Sequence, residues 1–94
     1  MTTIRIGDFE WDTEKAARNS RKHGVSFFEA MRAFEDPNGL TAPEKDHSGR
    51  FVLIGLSPRL RLLFVVSTES GERIRIISAR RASPRQRKLY SHGP

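Results

Sequence analysis

Hydrophobic and polar residues alternate, then recur at helical spacing, then alternate again, and this change of period divides the chain into elements. Ile4 and Ile6 flank Arg5, and Gly7-Asp8 separates them from Phe9-Glu10-Trp11, which predicts a short strand or ragged hairpin. Asp12 is a helix cap for a segment running to about His23, with Glu14 near its start, Arg21-Lys22-His23 at its end and Gly24 beyond. Ala16 and Ala17 are its only apolar residues, so it is expected on the surface, held by small contacts and by whatever Trp11 packs against. Ser26 and Glu29 open a second helix whose Phe27, Ala30, Met31 and Phe34 fall at i, i+3, i+4 and i+7, the spacing of a core face rather than of a cofactor pocket. Asp36-Pro37-Asn38-Gly39 ends it as a turn, and Leu40 to Arg50 reads as a polar loop.

Three strands follow, over Phe51–Ser57, Leu60–Thr68 and Arg73–Ala79, with turns at Pro58-Arg59 and Ser70-Gly71. Leu62 to Val66 is apolar on both faces, so the middle strand should be central. Ser83, Pro84 and Gln86 then form a capping box for a last helix that includes Tyr90. The predicted class is α+β: one domain, residues 1–94, with N-terminal helices packed on an antiparallel β-meander of at least three strands and a short C-terminal helix. Helices should cover one face. Arg61, Arg73 and Arg75 share odd parity with positions 63, 65 and 77, which suggests a basic groove on the other face.

Charge sharpens this picture. Residues 1–46 carry 7 Lys/Arg against 9 Asp/Glu, and residues 47–94 carry 10 against 2, so the second half is the anion-facing one. Arginine outnumbers lysine 13 to 4, and arginine has the planar fork that meets phosphate through two bonds, although such a balance also suits a merely soluble surface. Without cysteine there is neither a disulfide nor a thiolate metal site. The longest apolar run, Leu62 to Val66, is far below a membrane span and the first residues lack a signal-peptide pattern, so a cytoplasmic protein without membrane contact is expected.

Arg80 and Arg81 stand where a strand ends beside a helix N-terminus, a place where guanidiniums and backbone N–H groups can hold phosphate together; a salt bridge or solvated strand end is the alternative. Glu44, Asp46 and His47 invite a metal, but such a site needs three or four ligands and the other histidines, His23 and His92, are distant in sequence. A hydrogen-bonded loop is the expectation there, with no metal and no cofactor.

At Phe9-Glu10-Trp11-Asp12, Ala17-Arg18-Asn19, Lys22-His23-Gly24-Val25-Ser26-Phe27, Asp36-Pro37-Asn38 and the run Arg73 to Ala82, the sequence resembles the BrnT family of toxins. The likeness extends in order from Phe9 to Tyr90 and leaves the segment Met1–Asp8 without a role. It implies a ribonuclease toxin of a type II toxin–antitoxin pair, with a fold similar to RelE-type toxins, that cuts RNA and blocks translation. It also implies a protein antitoxin with a DNA-binding part, which neutralises the toxin and alone brings the pair to operator DNA.

RNA cleavage without a metal needs a base for the 2′-hydroxyl, cations for the charge that develops on phosphate, and an acid for the leaving oxygen. Arg80 and Arg81 suit the second task but are poor proton carriers. His23, Tyr90 and Glu69 are the candidates for proton transfer, each with an ordinary structural alternative: a helix C-terminus, a packed ring and a solvated carboxylate. Arg61, Arg73, Arg75, Arg85, Arg87 and Lys22 rank as general RNA contacts. A non-catalytic RNA-binding or protein-interaction module with an arginine-rich face is the competing function.

Overall fold

The computed structural model describes residues 2–92. Its strands are β1 (Thr3–Ile6), β2 (Phe9–Asp12), β3 (Leu40–Pro43), β4 (Arg50–Leu56), β5 (Leu62–Ser70) and β6 (Arg73–Arg81). Its helices are α1 (Thr13–His23), α2 (Phe27–Ala33) and α3 (Pro84–His92). All six strands form one sheet in the order β1-β2-β6-β5-β4-β3. The β3 to β6 run is an antiparallel meander, and β2 joins it parallel to β6 through Phe9↔Ile74 and Glu10↔Arg75.

The class is α+β; the hairpin expected over Ile4–Trp11 is present as β1 paired antiparallel with β2, so strands come first, which corrects the description of the fold as beginning with helices. Thr3–Ile6 is an edge strand of the sheet, which places the segment Met1–Asp8 in the fold from Thr3 onward, Met1 itself lying outside the described residues. A second correction concerns 40–50: its first four residues pair with β4 as β3, three of them exposed, so the stretch lacks the buried alternation by which a strand is recognised.

Both α1 and α2 pack on one face. Asp12 caps α1 by accepting from the Lys15 N–H at 2.9 Å, and Gly24 closes it in the left-handed region at φ 68°, where a residue without Cβ fits best. Ser26 caps α2 by accepting from the Glu29 N–H at 3.0 Å. Phe27, Ala30 and Ala33 then meet Leu53, Leu63, Val65, Ile76 and Ala79 of the sheet in the main core. Trp11 stands edge-on to the rings of Phe27 and Phe28 of α2, and Ala16 of α1 packs against the same core cluster.

One irregularity decides what faces outward. Val66 pairs with Ser78 but Ser67 with Ile76, so Ile77 is an extra residue in β6, a β-bulge. Ile76 and Ala79 consequently both point into the core although they are three residues apart, and parity along β6 reverses at the bulge. Leu63 and Val65 lie under the helices, so the odd positions of β5 are its covered side, whereas Arg73 and Arg75 fall on the open side. The proposed common parity of Arg61, Arg73 and Arg75 with 63, 65 and 77 therefore does not describe one groove.

Candidate functional site

The open face is built from the even positions of β5 and from their partners on β6, Phe64↔Arg80 and Val66↔Ser78. Helix α3 covers only one end of it. There Tyr90 packs against Ile54, Leu62 and Ala82, and the Tyr90 hydroxyl donates to Asp36 Oδ2 at 2.6 Å. That bond to Asp36, with burial and the carboxylate's charge, raises the Tyr90 pKa above the usual phenol value, so the hydroxyl is held protonated.

Arg80 stands on this face near the end of β6, opposite Phe64. Its guanidinium lies 4.5 Å from the centre of the Phe64 ring, a cation–π contact, and Nη1 donates to Arg81 O at 3.0 Å and Gln86 Oε1 at 3.1 Å. Gln86 is itself fixed by the capping box of α3: its Oε1 accepts from Ser83 N at 2.9 Å and its N–H donates to Ser83 Oγ at 3.2 Å. A ring, a strand-end carbonyl and a helix cap thus orient the guanidinium. Among the described residues no acceptor engages its Nε or Nη2, the pair of donors that grips a phosphate side-on.

A concave region of about 660 Å³ opens beside Phe64. Phe64, Val66, Ile77 and Ser78 floor it, and the loop between β3 and β4, carrying Lys45, Asp46 and His47, walls it together with Arg50 at the start of β4. At Ile77 and Ser78 it meets a second groove, whose far bank is α1 with Lys15, Arg18, Lys22 and His23. Asn19 sets the position of that bank. Among the described residues the edge of β6 away from β5 has no strand beside it beyond Arg75, and Asn19 takes that place: Nδ2 donates to Ala79 O at 2.8 Å and Oδ1 accepts from Ala79 N at 3.1 Å. Nδ2 also reaches Val25 O at 3.0 Å, which ties the chain after α1 to the same point.

Of the expected site residues, Arg80, His23 and Lys22 border this joined surface, while Arg85 lines an adjacent groove under α3. Arg81, opposite Leu63, is exposed at the end of β6 and contributes its carbonyl to Arg80. Arg61 is drawn to the helix-covered side, where it forms an ion pair with Glu29 and donates to Gly24 O. Arg75 pairs with Glu10, Arg73 is exposed opposite Ser70, and Arg87 is exposed on α3. Glu69 is opposite Ile74 and has the parity of Leu63 and Val65, so it belongs to the other side of the sheet from Arg80.

The structure adds Phe64, Gln86, Lys15, Arg18 and Arg50 to the surface. None is marked by spacing alone, because strand register decides who stands under Arg80. Gln86 had a signal, its capping box.

These features define a small sheet protein with a basic, open face, and the same arrangement of chain occurs in a ribonuclease toxin. The 1.1 Å crystal structure of the Brucella abortus ribonuclease toxin BrnT is similar with a TM-score of 0.64 and 28% identity, over 78% of this chain and 92% of that one. The chain belongs to the BrnT family: the family model for the ribonuclease toxin BrnT of type II toxin–antitoxin systems matches residues 11–86. A search of curated protein sequences finds no match. Family membership makes this chain a ribonuclease toxin with an RNA target and a protein antitoxin as partner.

Proposed function

We propose that this chain, acting as one domain, is a metal-independent endoribonuclease that cuts RNA on its open sheet face and thereby inhibits translation in the cytoplasm. Its antitoxin, carrying a DNA-binding part, neutralises it and brings the pair to operator DNA. A relationship to RelE-type toxins belongs to the same proposal.

The observation that supports cleavage here is Arg80, oriented by Phe64, Arg81 O and Gln86 with its Nε/Nη2 edge turned to no other group among the described residues. A guanidinium fixed in advance stabilises charge as it develops on phosphate without reorganising during the reaction. Basic banks on both sides, Lys45 and Arg50 on one and Lys15, Arg18 and Lys22 on the other, favour a polyanionic strand over a compact substrate. The donor set argues for chemistry without a metal. Glu10 is held by Arg75, whose hydrogen bond lowers its pKa against the opposing effect of burial, and Glu44 lies 4.0 Å from Arg50. Among the described residues no three His, Asp or Glu side chains are grouped to bind a metal ion.

Purified protein incubated with defined RNA in EDTA, followed by mapping of the new ends, tests this directly. Internal cuts that leave a 2′,3′-cyclic phosphate are expected, because the nucleophile is the substrate's own hydroxyl. Cleavage abolished by chelator and restored by a divalent ion would overturn metal independence, and binding without cleavage would favour the RNA-binding module.

A further inference from the structure

We propose that His47, on the loop between β3 and β4, is the general base of RNA cleavage, an assignment that rests on the open face being the cleavage site. In the sequence His47 stands beside Glu44 and Asp46 and suggests a failed metal site. In the fold it is a wall of the concavity whose floor includes Phe64, the ring on which Arg80 rests.

The loop holds His47 over this face through bonds at both of its ends and to the sheet below. Glu44 N donates to Arg50 O at 2.8 Å and Arg50 N to His47 O at 3.3 Å. From β5, on the open side, Thr68 Oγ1 donates to Gly49 O at 2.7 Å. Hydrogen bonds to its backbone groups therefore fix the loop, while His47 is exposed.

The other proton carriers fit less well. Tyr90 is committed to Asp36, and Glu69 has the parity of the helix-covered side. His92 lies with Pro37 and Asn38 at the far end of α3. His23 borders the second groove and meets the first only across Ile77 and Ser78. Imidazole also has the ordinary pKa nearest neutrality, as a base working at physiological pH requires. The charged groups that line the concavity with it are Glu44, Lys45 and Asp46 on its own loop and Arg50 at the start of β4; Arg80 of β6 stands over Phe64, and Lys15, Arg18, Lys22 and His23 of α1 line the second groove beyond Ile77 and Ser78.

In the reaction the neutral imidazole takes the 2′-hydroxyl proton as that oxygen forms a bond to the adjacent phosphorus. The bond from phosphorus to the 5′-oxygen breaks, and the proton is passed to that oxygen directly or through water. The products are a 2′,3′-cyclic phosphate and a 5′-hydroxyl, with no water consumed. Arg80 holds the phosphate from the side of Phe64.

Single-turnover cleavage of a labelled single-stranded RNA of mixed sequence, measured from pH 5 to 9 with wild type, H47Q and H23Q, tests the assignment. Wild type should slow toward the acid end of this range, because a protonated imidazole cannot accept the 2′-hydroxyl proton. H47Q should be slower by roughly 10²- to 10⁴-fold at neutral pH and lose that acid limb, with RNA affinity changed less than about threefold and native circular dichroism. H47Q at wild-type rate, or the acid limb kept in H47Q and lost in H23Q, would overturn the role of His47 and leave the cleavage site standing. A wild type that binds the RNA and never cuts it would instead overturn the function on which the assignment rests.

Discussion

Leu60 is held at φ 61° in the turn between β4 and β5 and is 80% exposed, a left-handed conformation that crowds any Cβ. Its N–H donates to Ser57 O at 2.9 Å, so the turn geometry, not packing of the side chain, fixes it. Leu60→Gly should therefore raise the free energy of unfolding by about 1 kcal/mol, measured by urea titration. Beneath that turn Glu29 accepts from Ser57 Oγ at 2.7 Å and pairs with Arg61, both carboxylate and guanidinium being largely buried. The Arg61 hydrogen bond, opposed by burial and aided by Ser57, lowers the Glu29 pKa in the folded state. A carboxylate depressed on folding stabilises above its unfolded pKa, near about 4.3, and that contribution fades as pH falls through the folded value. Glu29→Gln should cost about 2–3 kcal/mol at pH 7, because Arg61 loses its charged partner, and should flatten the stability loss below about pH 4. The place of Arg80 was legible from residue order, at a strand end before Ser83-Pro84. Its partners were not, because Phe64 stands opposite it only through a register that no local pattern records.

Among the elements, the close fit between α2 and β4 depends on Gly55, where an added Cβ would lie 2.8 Å from the backbone oxygen of Ala33. Gly55→Ala should destabilise by about 1–3 kcal/mol, read from thermal unfolding, since helix or strand must move. Capping residues made all three helices legible, for each cap acts within four residues of itself. Longer-range features escaped for the converse reason. Pairing of β2 with β6 spans over sixty residues, and the extra residue Ile77 follows from Ile76 and Ala79 both filling the core. Asn19 was visible only as part of a family motif; its work as a substitute strand edge depends on Ala79. Asn19→Ala should lower stability by about 2–3 kcal/mol by leaving these buried backbone groups unmet, and should loosen the α1 bank measured by amide exchange at Ala79.

For the whole molecule, the charge asymmetry is only partly turned toward RNA. Arg61 and Arg75 from the basic half are occupied by Glu29 and Glu10 of the acidic half, while Arg18 and Lys22, from the nominally acidic half, stand beside the open face. Sequence totals could not show this, because ion pairs join distant segments. Replacing Arg18 and Lys22 together by Ala should weaken binding to unrelated RNAs alike and reduce the slope of log affinity against log salt by about 1–2.

The most direct test of cleavage on this face is the single-turnover rate of Arg80→Ala on an RNA cut by wild type, with affinity measured in parallel. Removing a donor that acts mainly in the transition state should slow cleavage by roughly 10²- to 10³-fold while affinity changes only a few-fold, and Arg80→Lys should restore part of the rate. A folded Arg80→Ala protein that cuts at the wild-type rate would place the chemistry elsewhere on the molecule.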